Sequence, residues 1–155
     1  MTTLRDDAAL VQDLLEHVAS ALGLAAEVTV VDGPDELTAA LQGEGLGLFI
    51  GRHGQTIDAV QHLAQRVVHA RTGELRRVTV DAEDYRARRK ETLERQADDA
   101  ADEALRHGRP VALDAMTPSE RRLVHEFLRD RGTVETHSEG DEPARHLVIT
   151  PAASS

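Results

Sequence analysis

The chain has 155 residues, enough for one domain or for two small ones. It has no cysteine, which excludes disulfide frameworks, thiolate metal sites and cysteine nucleophiles. Its only aromatic residues are Phe49, Tyr85 and Phe127, too few for recognition by a stacking sheet surface. Lysine and arginine number 18 against 28 aspartates and glutamates, a net charge of −10 that argues against unselective coating of a polyanion. No signal-like start and no apolar run of membrane-spanning length is visible, so the expected location is cytoplasmic.

In chain order, a helix is expected from about Asp6 to Leu22, with Val11, Leu14, Leu15, Val18, Ala19 and Leu22 at helical spacing and Gly23 as its stop. Val28 and Val30 alternate with polar residues, as do Leu37, Ala39 and Leu41, giving two strands about the turn Gly33-Pro34-Asp35. A short helical turn is expected at 46–50, then a helix at 55–71 with Ile57, Val60, Leu63, Ala64, Val67 and Val68 inward. Val78 and Val80 mark a third strand. A helix follows from about Glu83 to Arg106, with Leu93, Ala97, Ala100, Ala101, Ala104 and Leu105 inward. It begins with Arg86, Arg88, Arg89 and Lys90 and carries Asp98, Asp99, Asp102 and Glu103 later, an order that opposes the helix dipole. A short strand at 110–113 precedes the helix start Thr117-Pro118-Ser119-Glu120, which has the residues of a capping box. That helix is expected to reach Arg131, and strands at 133–138 and 145–150 then form a hairpin.

Two clusters carry the functional reading. In Gly51-Arg52-His53-Gly54 the glycines allow a tight turn and close approach, and the loop opens onto a helix N-terminus that favours anions. Arg52 and His53 at its tip add donors for phosphate. Arg121 and His125 lie four apart on the capped helix, hence on one face, with Arg122 beside them. Taken alone, each pattern also fits a simple connector or a solvated helix face.

The order α-β-β-α-α-β around the glycine loop resembles a type II KH domain, whose GxxG loop clamps a nucleotide backbone. The Arg-x-x-x-His helix, with Gly108-Arg109-Pro110, Met116 and Ser138-x-Gly140-x-x-Pro143-x-Arg145, is similar to the R-3-H domain associated with single-stranded nucleic acid. A KH domain followed by an R-3-H domain resembles the Jag family of SpoIIIJ-associated bacterial RNA-binding proteins, over about Leu10 to Thr150. The resemblance implies an α+β chain, with a KH domain at 1–82, an R-3-H domain (α-β-α-β-β) at 83–150 and a disordered tail at 151–155. It implies a short form without the N-terminal Jag domain of many members. His53 stands where a second arginine is common, so the loop's charge follows pH near neutrality.

As the resemblance implies, the ligand is single-stranded RNA or DNA, held by Gly51, Arg52, His53, Gly54, Arg121, Arg122, His125 and Arg145, with Arg86 and Arg89 as a bridge. The implied role is an RNA chaperone or post-transcriptional regulator linked to cell shape and division. A second KH protein and a YidC-type membrane insertase are the implied protein partners. The alternative is a protein–protein adaptor at that insertase, with a KH fold that is structural only.

No catalytic group is expected. His125-Glu126-x-x-Arg129 lacks the second histidine of a zinc-protease helix, His62 and His69 have no third ligand, and no serine sits in a nucleophile elbow. No cofactor, metal or small-molecule substrate is expected either.

Overall fold

The structure, a computed structural model, describes residues 4–153, with side chains from Asp7 onward. Apolar residues at three- and four-residue spacing build the first helix, α1 (Leu4–Ala21), and bury Val11, Leu15 and Ala19. The helix starts two residues before the expected Asp6 and stops before Leu22, which is 37% exposed. Alternation then produces β1 (Glu27–Asp32) and β2 (Glu36–Gln42), antiparallel, with Val28 opposite Leu41 and Val30 opposite Ala39. Val28, Leu37, Ala39 and Leu41 face inward.

A four-residue helix, α2 (Gly47–Ile50), and a 3-10 turn at Arg52–Gly54 lead into α3 (Gln55–Thr72). The strand β3 (Arg77–Ala82) pairs parallel to β2, with Leu37 opposite Val78 and Ala39 opposite Val80. Parallel pairing needs a long crossover, which α2, the turn and α3 supply. The sheet order is β1-β2-β3, and the element order is the expected α-β-β-α-α-β. The core includes Val11, Leu15, Leu37, Leu41, Phe49, Ile57, Val68, Val78 and Val80. Leu63 departs from expectation: it is 47% exposed, because Ile57, Val60, Ala64 and Val68 define a stripe whose edge it lies beyond.

One buried cation holds this unit together. Arg76, 9% exposed, donates to Gly33 O at 2.5 Å, pairs with Asp32, and lies 3.5 Å from Asp7. It ties the start of β3 to the β1–β2 turn and to the first helix. A buried arginine among two carboxylates and a carbonyl keeps its charge compensated.

The chain divides into two compact units between Arg86 and Ala87. The long helix α4 (Tyr85–His107) supplies Leu93, Ala97, Ala100, Ala101 and Ala104 to the second core, while Leu105, expected inside, is 41% exposed. The strand β4 (Val111–Ala112), the helix α5 (Pro118–Arg129) and the hairpin β5 (Val134–Glu139) with β6 (His146–Pro151) complete it. The sheet order is β4-β6-β5, all antiparallel. The expected capping box forms: Thr117 Oγ1 accepts from Glu120 N at 3.3 Å, and Thr117 N donates to Glu120 Oε2 at 3.2 Å. At its first two residues the expected disordered tail is corrected, since Pro151 belongs to β6 and Ala152 N donates to Thr133 O at 3.0 Å. Ser154 and Ser155 lie outside the described residues.

Pairing across elements accounts for much of the inverted charge order on α4. Asp98 accepts from Arg131 Nη1 at 3.0 Å and Asp102 pairs with Arg131 Nη2. The Asp102 hydrogen bond raises the Arg131 pKa above its ordinary value, with desolvation working against it. Arg86 and Arg89 at the basic start are also engaged within their own units, as described below.

Candidate nucleic-acid interface

The glycine loop is pinned on both sides by side chains with no exposure, Phe49 in α2 and Ile57 in the first turn of α3. Between them the chain reverses within four residues. Gly51 N donates to Gly47 O at 2.8 Å, and Gly54 N to Gly51 O at 3.2 Å. Three of the four residues have positive φ: Gly51 at 75°, His53 at 54° and Gly54 at 77°. A non-glycine residue held left-handed stores roughly 1–2 kcal/mol, and such strain gathers at functional sites.

Both glycines are required by the chain's own packing. A Cβ on Gly51 would lie 2.8 Å from Thr56 N, and one on Gly54 would lie 2.7 Å from the Tyr85 ring. The Arg52 and His53 side chains are exposed at the tip. Gly54 gives α3 no side-chain cap, so the first N–H groups of that helix lie beside two exposed cationic or proton-donating side chains.

Arg86 does not join this tip. Its Nε donates to Val80 O at 2.9 Å, Nη1 to Asp58 at 2.9 Å and Nη2 to Gln61 Oε1 at 3.0 Å. Gln61 Oε1 also accepts from Val80 N at 2.9 Å, so the pair seals the outer edge of β3 at that residue. Each of the three nitrogens of the Arg86 guanidinium thereby has a partner inside the first unit, while its side chain stays 32% exposed. Arg89 is also engaged within its own unit. Its Nε donates to Glu120 Oε1 at 2.8 Å, both side chains are under one-fifth exposed, and the contact locks α4 onto the capped start of α5.

On α5 the two signature residues have different fates. Arg121 is 9% exposed; Nη1 donates to Met116 O at 2.5 Å and Nη2 to Glu142 Oε1 at 2.5 Å. His125 is exposed, with Nδ1 sharing a hydrogen bond with Thr136 Oγ1 of β5. Arg122 is exposed and pairs with Glu126 at 3.1 Å along the helix, a solvent-screened contact of low worth. Arg145 is half-buried, and its Nη1 donates to Gly140 O at 2.7 Å. Arg129 was not anticipated: it is exposed, four residues beyond His125 and seven beyond Arg122, and so extends their face by a turn. The same helical periodicity that linked Arg121 to His125 was the signal for it.

Among the described residues no cluster of three or more His, Asp or Glu is arranged to hold a metal ion. His69 Nδ1 is engaged with Glu74 O at 3.1 Å. Among the described residues no helix is long and apolar enough to cross a membrane.

A glycine-loop α-β-β-α-α-β unit followed by a capped Arg-x-x-x-His helix on a small antiparallel sheet defines a chain with a KH domain and an R-3-H domain. The family models agree, the KhpA/KhpB KH domain matching residues 9–81 and the R-3-H domain residues 91–151. The chain is 39% identical over 150 residues to RNA-binding protein KhpB of Clostridium symbiosum, covering 96% of this chain and 66% of that one. It is 36% identical over 138 residues to RNA-binding protein KhpB of Bacillus subtilis, covering 88% and 66%. With the protein of that name from Lactiplantibacillus plantarum it shares 39% over 137 residues, covering 88% and 42%. The chain therefore belongs to the KhpB/Jag family, and spans about two thirds of the length of the first relatives it matches.

Proposed function

We propose that the protein binds single-stranded RNA without catalysis, through one surface on each module. In the first, at 1–82, the GxxG loop holds the sugar–phosphate backbone. Gly51 and Gly54 set the reversal, Arg52 and His53 supply the donors, and the uncapped start of α3 favours the anion. In the second, at 83–150, Arg122 and His125 form the exposed contact, Arg121 lies at its buried margin and Arg145 at its edge. Two modest sites on one chain raise affinity through effective concentration, which suits a protein poor in aromatic side chains.

The observation that carries this reading is the strained loop itself: His53 at φ 54° next to an exposed Arg52, between two glycines the fold cannot replace. Base identity is read weakly by such a clamp, because phosphate contacts position a strand without reading it. The matched relatives are named RNA-binding proteins, which agrees with this reading. The finer role is post-transcriptional control or RNA chaperoning in the cytoplasm, linked to cell shape and division. A second KH protein and a YidC-type insertase are the protein partners to test.

The test is a titration of the full chain with short single-stranded and duplex RNA across a salt series. Preference for the single strand is expected, with affinity falling on a shallow log–log slope because few phosphates are engaged. Equal binding of both forms, or salt-independent binding, would contradict the proposal. The acidic balance of −10 favours the adaptor reading, and absence of any RNA binding at low salt would leave that reading in place.

A further inference from the structure

The signature arginine of the second module already holds an anion. Its side chain is 10% exposed, and its partner Glu142 is 51% exposed on the segment between β5 and β6. Nη1 is separately fixed by Met116 O at 2.5 Å, with Arg145 O at 3.5 Å. We propose that Glu142 is a resident placeholder: its carboxylate fills the seat on Arg121 Nη2 that an RNA phosphodiester oxygen takes when RNA binds. Binding at this module is thus an exchange of one anion for another, and it rests on the RNA-binding reading given above.

The unequal burial of the two partners supports this direction. Removing the counter-charge from a guanidinium so little exposed strands a buried cation, which is strongly unfavourable. Only a group bringing its own negative charge and acceptor oxygens replaces Glu142 without that penalty, and phosphate matches the guanidinium fork. The carboxylate, half in water already, regains hydration when it leaves. Arg121 stays oriented throughout, because its bond to Met116 O does not involve the exchanged group.

The neighbours favour a phosphate too. His125 lies one turn along α5 from Arg121 and is exposed, and the side chain of Arg122 is 81% exposed. His125, on the same face as Arg121, can donate to a diester that reaches it. Glu142 follows Glu139 and Asp141 in sequence, so its departure removes one negative charge from the place where a phosphate arrives.

The test is Glu142→Gln in the full chain, titrated with a single-stranded RNA dodecamer. The amide keeps the shape and an acceptor for Nη2 but removes the charge that competes with phosphate. Affinity is expected to rise about three- to tenfold, up to one step of the tenfold scale. Unchanged or weaker binding, with Arg122→Ala and His125→Ala both weakening it, would overturn the exchange and leave the RNA reading standing. No effect from Arg122→Ala and His125→Ala would overturn that reading for this module and the exchange with it.

A measurement on the unaltered protein guards against a folding defect in the variant. The Glu142 side-chain carboxyl carbon resonance is expected to move to that of a solvated glutamate on adding RNA; a resonance that stays put overturns the proposal. Inorganic phosphate at the same phosphate concentration is the second arm. It is expected to leave the resonance in place, because it is not tethered to the chain that Arg122 and His125 hold. Equal displacement by both would overturn the assignment to the RNA backbone.

Discussion

The two modules present charge by opposite means. In the first, the backbone is strained and the side chains are free: Gly51, His53 and Gly54 take positive φ, and Arg52 and His53 project from the loop. In the second, the backbone is a regular capped helix, and the side chains are sorted by burial, Arg121 inside, His125 and Arg122 outside. A loop clamp thus depends on residues with no side chain, whereas a helix face depends on which arginine the core consumes. This contrast says where each module breaks.

The largest expected effect is on the loop. Gly54→Ala places a methyl 2.7 Å from the Tyr85 ring at φ 77°, and its cost combines left-handed strain with overpacking, about 2–5 kcal/mol. Urea unfolding of the full chain measures it. Gly132→Ala in the second module is the counterpart: φ is 69° but nothing lies within 4 Å of the new Cβ, so only about 1–2 kcal/mol of strain is expected. Equal costs for the two would refute the claim that Tyr85 makes the loop glycine irreplaceable.

Next comes Arg121→Ala. It removes the donor to Met116 O and the buried cation that Glu142 neutralises, and should destabilise by about 2–4 kcal/mol. Arg122→Ala, four-fifths exposed before substitution, should leave unfolding unchanged to within about 0.5 kcal/mol. A denaturation curve for each variant separates the buried arginine from the exposed one. The smallest effect is reserved for Arg129→Ala, expected to weaken RNA binding about twofold to fivefold with no change in stability, on the scale of one peripheral phosphate contact. Binding that matches the unaltered chain would remove Arg129 from the face.

How much of this was legible in the sequence follows from contact range. The element order was readable because each helix and strand writes its period locally, as Val11-Leu15-Ala19 and Val28-Val30 do. So was the capping box, confined to Thr117–Glu120. Leu63 and Leu105 went astray because a helix stripe is narrower than the set of apolar residues within reach of it. The parallel pairing of β2 with β3 joins residues about forty positions apart and leaves no local trace. The fates of the arginines were hidden for the same reason. Arg86 meets Asp58, Arg89 meets Glu120, Arg121 meets Glu142 and Arg76 meets Asp7, all across 21 to 69 residues. Sequence spacing put Arg121 and His125 on one face; burial, which spacing does not encode, then separated them.

The central claim is that RNA is held by the exposed pair at the tip of the strained loop. Replacing Arg52 and His53 together by aspartate tests it most directly, with binding to a pool of cellular RNA measured beside circular dichroism. Both side chains are exposed, so the spectrum should not change. Affinity is expected to fall at least about tenfold at moderate salt, since two donors become two repelling charges beside the phosphate. Undiminished RNA binding by a correctly folded double variant would contradict the account.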